Sequence, residues 1–312
     1  MNHTPHFTVI GAGHGGKAMA AHLALMEFPT TLYNRTHEHI VGVERRGGVE
    51  LESYEGGPRG FGRLEKVTSD MAEALKDADM VMVVVPSSAH ADIARSTAPY
   101  LKDGQIVVLH PGRTCGAIEF LKVLRDNNCT ADVVVAETET FIYASRSDGP
   151  AQSRIFRIKE AVPVAALPSN RTAEVLEMIH LPYPQFIDGG NVLQTGLNNM
   201  GAIFHPALTL LNSGWIEATH GDYQFYIDGV TPSVARVLEA VSKRLKVPLL
   251  LDHNALARHG VDVEKSLANA PQARTTYSNL LRKVLSQAKL KYEVRVDEAD
   301  SPFLWITTMQ PL

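Results

Sequence analysis

The sequence has little cysteine: its 312 residues include only Cys115 and Cys129. Two thiols cannot staple a chain of this length, and neither has the Cys-x-x-Cys spacing of a metal or redox site. We therefore expect two reduced thiols, no structural disulfide and no metal site.

Long apolar runs and a strong excess of charge are also missing. No stretch approaches the roughly 18–20 apolar residues that span a bilayer, and residues 1–6 are too short and polar for a signal peptide. The formal net charge of -4 argues against a nucleic-acid surface. With 45% hydrophobic and 21% charged residues, the composition predicts a globular, cytoplasmic protein of two domains that binds neither nucleic acid nor membrane.

A glycine-rich turn separates the first predicted strand from the first predicted helix. Residues 7–10 read Phe-Thr-Val-Ile, the next six read Gly-Ala-Gly-His-Gly-Gly, and an apolar-periodic run follows at 17–28. In a dinucleotide-binding unit Gly11 permits the tight turn, Gly13 lets the backbone approach a pyrophosphate, and Gly16 lets helix and strand pack. The unpaired N–H groups of the helix N-terminus then hold the pyrophosphate. The predicted cofactor-binding residues of this turn are Gly11, Gly13, His14, Gly15 and Gly16.

The first half of the chain alternates strand and helix patterns. The strand patterns at 30–33, 80–85, 105–109 and 132–136 show no alternation of apolar and polar residues, which predicts a doubly wound parallel sheet covered on both faces, a Rossmann-type α/β domain. The glycine-rich residues 47–62 predict a hairpin or loop insertion.

From residue 192 onward the pattern is mainly helical. The expected helices are at 192–213, 231–245, 252–258, 263–268 and 273–290. We place an NAD(P)-binding domain at 1–185 and a helical substrate domain at 186–312.

The residue that ends the second strand distinguishes the two nicotinamide cofactors. A carboxylate there accepts hydrogen bonds from the ribose 2′-OH of NAD and repels a 2′-phosphate, but this chain has Asn34 followed by Arg35. A neutral amide beside a guanidinium suits a 2′-phosphate. We therefore expect NADP(H) to be favoured over NAD(H), with Asn34 and Arg35 among the cofactor-binding residues.

Two further turns reach the carboxyl edge of the predicted sheet, where cofactors lie. Val85-Pro86 closes one strand, and His110-Pro111-Gly112-Arg113 follows the next. We expect Val85, Pro86, Pro111 and Gly112 to contact the cofactor. His110 and Arg113 are candidate substrate contacts, although a Pro-Gly turn also has purely steric uses.

The candidate acid or base is His205, in the segment Asn-Asn-Met-Gly-Ala-Ile-Phe-His-Pro at 198–206. Seven residues separate Asn198 from His205, so on one continuous helix both project from the same face. The unperturbed pKa of histidine, about 6.5, suits proton transfer near neutral pH. A satisfied core histidine is the alternative interpretation.

Several motifs in order carry a family resemblance. The glycine turn, residues 83–90 (VVVPSSAH), 110–120 (HPGRTCGAIEF), the segment around His205 and residues 226–234 (YIDGVTPSV) together resemble the opine dehydrogenase family, the octopine and nopaline dehydrogenases. The likeness is greatest to the bacterial N-(1-D-carboxyethyl)-L-norvaline dehydrogenases.

The resemblance implies NAD(P)H-dependent reductive condensation of a 2-oxo acid with the amine of an amino acid. His205 matches the family's histidine, and Asn198 or Asn199 matches an amide near it. Tyr226 is a further candidate substrate contact. Arg113 would pair with one of the two carboxylates that such substrates carry.

The sequence departs from the family after residue 270. The resemblance implies an Arg-Tyr-x-x-Glu-Asp segment whose aspartate orients the histidine, and the sequence does not contain it. Asp297, five residues after Tyr292, matches that segment only loosely. We expect a shortened helical domain, and the sequence does not identify the group that orients His205. The apolar residues 303–306 are compatible with a homodimer.

Two other functions remain as alternatives. A reductase of the ketopantoate or 3-hydroxyacid kind shares the two-domain plan but uses a lysine as its acid, and no lysine lies between Lys159 and Lys243. We expect Lys159, in a predicted strand at 155–162, to be solvated. The other alternative is a catalytically impaired NADP-binding protein.

Overall fold

The computed structural model describes residues 4–54, 56–198, 200–245, 290–296 and 302–308. Two compact units divide between residues 199 and 200, and the functional boundary at 185/186 stays a prediction. Asn199, Asp297 and the helices expected at 252–258, 263–268 and, up to residue 289, 273–290 lie outside the described residues.

The described elements alternate strand and helix through the first unit. In chain order the strands are β1 (Phe7–Ile10), β2 (Thr30–Tyr33), β3 (Gly48–Ser53), β4 (Gly60–Arg63), β5 (Lys66–Thr68), β6 (Met80–Val83), β7 (Ile106–Leu109), β8 (Val134–Thr138), β9 (Tyr143–Gly149), β10 (Gln152–Ile158), β11 (Val162–Leu167), β12 (Phe186–Asp188), β13 (Leu290–Val296) and β14 (Pro302–Thr308). The helices are α1 (His14–Leu25), α2 (Val41–Arg46), α3 (Met71–Leu75), α4 (His90–Thr97), α5 (Gly116–Asp126), α6 (Thr172–Ile179), α7 (Val192–Leu197), α8 (Met200–Leu211), α9 (Ser213–Thr219) and α10 (Pro232–Leu245).

An eight-stranded sheet in the order β12-β11-β8-β7-β6-β1-β2-β5 forms the core of the first unit. The strands from β8 to β5 are parallel, whereas β11 runs antiparallel to β8 and parallel to β12. Every residue of β1, β6 and β7 is buried, as expected for parallel strands covered on both faces. The predicted Rossmann-type sheet followed by a helical region is confirmed.

Helix α1 packs against two sheets. The insertion at 47–62 is a hairpin of β3 and β4, which joins a second sheet in the order β4-β3-β10-β9. Small side chains let the backbones approach: a Cβ on Gly62 would lie 2.7 Å from the Ala21 carbonyl oxygen. Because α1 contacts strands of both sheets, the helix is apolar around most of its circumference, and residues 16–23 are buried.

The single helix expected at 192–213 is wrong. Helix α7 ends at Leu197 and α8 begins at Met200, with Asn198 at φ -80° and ψ 21° after the end of α7. The chain breaks here because α7 packs against β8 and β11, whereas α8 belongs to the second compact unit. Asn198 and His205 therefore do not share one helix face. None of the described helices is both long and apolar enough to cross a bilayer.

Buried histidines make the stability of the first unit depend on pH. His110 lies in the interior, with Nε2 3.3 Å from Met82 Sδ, and burial lowers its pKa to about 3. Burial also lowers the pKa of His22, which packs against Tyr143 and Tyr183, to about 4. In the unfolded chain these histidines titrate near pH 6.5, so below that pH the unfolded state binds more protons. The contribution of the two neutral histidines to the free energy of unfolding is fully present above about pH 6.5 and is lost as the pH falls towards 4.

We expect His110→Met to flatten this dependence. Between pH 6 and 4 the unfolding free energy of the variant should fall less steeply than that of the wild type. The difference in slope should be the contribution of one proton, about 1.4 kcal/mol per pH unit. Denaturant unfolding at a series of pH values measures the slope, with the exposed His39→Gln as the control. A slope equal to that of the wild type would contradict the assignment.

Candidate functional site

The glycine-rich turn is built by close backbone contacts. Gly11 has a φ of +111°, and a Cβ on it would lie 2.3 Å from the Val84 carbonyl oxygen. A Cβ on Gly16 would lie 1.7 Å from the Gly11 carbonyl oxygen. Any side chain at either position is excluded, so these two glycines set the turn and bring α1 onto β1.

Gly13 has a different environment. No atom lies within 4 Å of the Cβ position of Gly13, and the residue is exposed. It is the N-cap of α1, and no side chain caps the helix there. The first N–H groups of α1 are thus open to an anion, and the turn fits the pyrophosphate of a dinucleotide.

His14 and Gly15 connect the turn to the second half of the unit. The His14 ring accepts a hydrogen bond at Nδ1 from the Ser147 N–H, 2.9 Å away, so its neutral form carries the proton on Nε2. A Cβ on Gly15 would lie 2.6 Å from Phe141 Cζ. The loop after β8 and strand β9 therefore border the predicted cofactor cradle, which the sequence pattern did not reveal.

Asn34 braces the turn. Its Oδ1 accepts from the Ala12 N–H at 3.1 Å, and its Nδ2 donates to the Thr36 carbonyl oxygen at 2.9 Å. The Arg35 side chain is 75% exposed, and its Nη1 lies 3.7 Å from Asp92 Oδ2. Of the two predicted residues, Arg35 presents its charge to solvent, while the Asn34 amide is engaged within the protein.

The other predicted contacts lie at the carboxyl edge of the sheet. Val85 is half-buried and Pro86 exposed directly after β6. After β7, the half-buried Pro111 precedes Gly112, whose N–H donates to the Thr138 carbonyl oxygen at 3.2 Å. Because the strand order is β7-β6-β1, both turns lie on the same side of the glycine-rich turn, with the turn after β6 next to it.

The two candidate substrate residues in this turn have opposite environments. His110 is buried between Met82 and Phe186, and the ring centroids of His110 and Phe186 lie 5.6 Å apart. This placement does not support a direct contact with substrate. Arg113 is exposed and lies at a φ of +61°, so it is the member of the pair that faces solvent.

Sequence reasoning missed the buried carboxyl of Glu137. Its Oε2 accepts from the Ala117 N–H at 2.7 Å, and its Oε1 accepts from Thr195 Oγ1 at 2.9 Å. Burial raises the pKa of Glu137. The side chain ties the first turn of α5 and the middle of α7 to β8. The signal in the sequence was a glutamate directly after the apolar run at 133–136.

Lys159 is not simply solvated, so that expectation is wrong. It follows the end of β10 and is half-buried, and its ammonium donates to Thr140 Oγ1. Nearby, Asn198 Nδ2 donates to Glu139 Oε2 at 3.1 Å. These four side chains come together at the carboxyl edge because β8, β10 and α7 end there.

His205 and Tyr226 contact each other in the second unit. His205, on α8, is within hydrogen-bond distance of the Tyr226 hydroxyl through Nε2, and the two ring centroids lie 5.7 Å apart. Burial raises the pKa of Tyr226, so the phenol stays protonated near neutral pH. The structure thus gives His205 a polar partner that the sequence pattern left open.

Comparison with known proteins gives matches in both parts of the chain. Residues 6–116 match the N-terminal domain of NAD-dependent glycerol-3-phosphate dehydrogenase, and residues 188–289 match the alpha-helical domain of NAD/NADP octopine/nopaline dehydrogenase. An opine dehydrogenase of Arthrobacter sp. (strain 1C) is 37% identical over 249 residues, which are 80% of this chain and 68% of that protein.

Solved structures share the fold. Octopine dehydrogenase in complex with NADH and agmatine superposes with a TM-score of 0.60 at 17% identity, covering 91% of this chain and 70% of that one. Yersinopine dehydrogenase with NADP+ bound gives a TM-score of 0.63 at 15% identity, covering 78% of this chain and 63% of that one.

The glycine contacts predict opposite outcomes for two alanine variants. Gly16→Ala should fail to fold or be strongly destabilised, because its Cβ collides with the Gly11 carbonyl oxygen. Gly13→Ala should keep the wild-type melting temperature and weaken NADPH binding about tenfold or more, because the methyl group occupies the open side of the turn. Thermal unfolding with and without NADPH measures both, and a Gly13→Ala variant with wild-type affinity would contradict the cradle.

Proposed function

Because the chain belongs to the opine dehydrogenase family of NAD(P)-dependent oxidoreductases acting on CH–NH bonds, we propose that it reductively condenses a 2-oxo acid with the amine of an amino acid. The observation that carries the proposal is the 37% identity to the Arthrobacter enzyme over 80% of this chain. Octopine dehydrogenase structures that share the fold contain NADH with arginine or with pyruvate, one amino acid and one 2-oxo acid. This supports the same substrate classes here.

The residues that would hold the dinucleotide are those of the glycine-rich turn and of the turns after β6 and β7. When bound, the reduced nicotinamide supplies the hydride that turns the imine carbon into the carbon of a secondary amine. The protein supplies the α1 N-terminus for the pyrophosphate and the backbone of Gly13 for its close approach. Val85, Pro86, Pro111 and Gly112 border the same edge.

NADP(H) is favoured over NAD(H) in this proposal. The position that holds a carboxylate in NAD-binding units is Asn34, and the exposed Arg35 guanidinium follows. A guanidinium pairs with a 2′-phosphate through two parallel hydrogen bonds. Its ion pair with Asp92 is between exposed groups and is therefore weak enough to be exchanged for a phosphate.

His205 is the proposed acid/base. During condensation the amine nitrogen attacks the 2-oxo carbon, the carbonyl oxygen leaves as water, and a C=N bond forms. His205 takes a proton from the attacking ammonium and passes it to the oxygen. A second proton moves from the nitrogen of the addition product to the same oxygen, so the oxygen leaves as water and a protonated imine remains. The Tyr226 hydroxyl holds the ring through Nε2, and an amide at Asn198 or Asn199 orients a substrate carboxylate.

A reductase acting on an oxo acid alone is the second candidate function. One observation favours it: Lys159, the residue class that such reductases use as an acid, is half-buried at the carboxyl edge of the sheet. The two candidates differ in whether an amine is consumed.

Turnover should require both substrates. We expect NADPH oxidation with pyruvate plus one member of an amino-acid panel, and none with either substrate alone. Turnover with pyruvate alone would favour the second candidate, and cofactor binding without any turnover would favour a non-catalytic protein.

Replacing His205 should impair catalysis. His205→Asn should lower kcat about 10²-fold or more, and Tyr226→Phe should lower it less. Both variants should keep the NADPH-induced shift in melting temperature. Wild-type activity in His205→Asn would contradict the proposed acid/base role of His205.

NADPH should raise the melting temperature more than NADH at equal concentration. Arg35→Ala should remove the difference, since the charge-assisted contact with the 2′-phosphate is lost while the shared contacts remain. The matched control is Arg45→Ala, an exposed arginine on α2, which should keep the difference. Equal shifts for the two cofactors in the wild type would contradict the NADP assignment.

A further inference from the structure

A buried lysine follows the glycine-rich turn on helix α1. Lys17 is only 8% exposed. Its backbone N–H donates to the Gly13 carbonyl oxygen at 3.2 Å, so Lys17 lies one helical turn after the glycine that borders the predicted pyrophosphate site. Side chains on an α-helix lean towards the N-terminus of that helix. The side chain of Lys17 therefore starts at the base of the predicted cofactor cradle.

The hairpin of β9 and β10 holds the Lys17 ammonium beside the first turn of α1. Lys17 Nζ donates to the carbonyl oxygen of Gly149, the last residue of β9, at 3.5 Å. In the same hairpin the Ser147 N–H donates to the His14 ring at 2.9 Å, and Ser153 Oγ donates to the His14 carbonyl oxygen at 3.4 Å. Because His14 is the first residue of α1, these contacts seat the hairpin against the N-terminal end of the helix.

The positive charge of Lys17 has no counter-ion among the described residues. There the ammonium has one hydrogen-bond acceptor, the Gly149 carbonyl oxygen, at a distance beyond the usual range for an N–H donor, and no carboxylate pairs with it. Burial lowers the pKa of Lys17, as expected for an ammonium that has lost water without gaining a charged partner. An unpaired buried charge destabilises the folded protein.

The charge also lies at the unfavourable end of the helix. The N-terminus of an α-helix carries a partial positive charge, which favours acidic side chains nearby and disfavours basic ones. The first turn of α1 contains no acidic residue, and no side chain caps the helix at Gly13. A buried cation and a helix N-terminus thus add positive potential at the same place, and the first turn supplies neither a carboxylate nor a cap to offset it.

We infer that Lys17 is the buried counter-charge for the pyrophosphate of the bound dinucleotide. A pyrophosphate in the glycine-rich turn brings negative charge to the end of α1, which offsets both the ammonium and the helix dipole. The inference rests on the dinucleotide binding in the proposed function. It adds to the turn a residue outside the glycine pattern, with an electrostatic role. Because NADH and NADPH share the pyrophosphate, Lys17 strengthens the binding of both, whereas Arg35 discriminates between them.

Binding and stability are both measured without turnover. NADPH and NADH are titrated into the protein by calorimetry, and thermal unfolding is followed without cofactor. Lys17→Met keeps an aliphatic side chain and removes the charge. It should weaken the binding of both dinucleotides by the same factor, about tenfold, because the lost attraction acts on the group that they share. The cofactor-free variant should melt at the wild-type temperature or above it, since an unpaired buried charge is removed.

Two further variants separate the charge from other effects. Lys76→Met removes an exposed lysine at the end of α3 and should leave both affinities and the melting temperature unchanged. Lys17→Gln removes the charge but keeps a polar N–H donor, so it should lose the same affinity as Lys17→Met. If Lys17→Met does not fold, Lys17→Gln takes its place with the same expectation.

Three results would overturn the role of Lys17. The first is wild-type affinity for both dinucleotides in the Lys17 variants, and the second is a loss confined to NADPH, which would assign the charge to the 2′-phosphate. The third is a cofactor-free melting temperature well below that of the wild type in both variants, because the weaker binding would then reflect damaged packing.

The proposed function fails separately from this role. A protein that binds both dinucleotides through Lys17 but does not turn over an amino acid with a 2-oxo acid would refute the proposed function and keep the role of Lys17. Turnover of the two substrates with dinucleotide binding that is independent of Lys17 would do the reverse.

Discussion

The contact between Gly16 and the Gly11 carbonyl oxygen is the constraint on which the cofactor end of the protein depends. A Cβ at residue 16 would lie 1.7 Å from that oxygen, so the approach is possible only for glycine. It places α1 against β1 with its first N–H groups facing outward beside Gly13. The same helix also contacts the second sheet, so α1 is held in place by burial of residues 16–23 between the two sheets.

A second constraint acts at the end of β8. The buried Glu137 carboxyl joins α5 and α7 to the sheet through Ala117 and Thr195. Leaving either partner unsatisfied in the interior costs on the order of 1–3 kcal/mol, so the start of α5 and the middle of α7 are held against β8. Glu139, Thr140 and Lys159 meet at this edge as a consequence.

The sheet and the glycine-rich turn could be predicted from the sequence because short-range residue patterns determine them. Apolar strands separated by helices indicate a covered parallel sheet, and Gly11, Gly13 and Gly16 have position-specific steric roles. The break between α7 and α8 was not readable, since it depends on which unit each helix packs against. The contacts of Glu137 and Lys159 were hidden for a similar reason: they join segments far apart in the chain, and spacing carries no information about them.

Hydride transfer to an imine is the central claim, and isotopic labelling tests it most directly. NADPH carrying deuterium on the transferable position of the nicotinamide C4 is incubated with the protein, pyruvate and an amino acid, and the product is examined by mass spectrometry and NMR. The account predicts a product that contains both carbon skeletons joined by a secondary amine, with deuterium on the former carbonyl carbon. Deuterium found in a 2-hydroxy acid, with the amino acid unchanged, would contradict it.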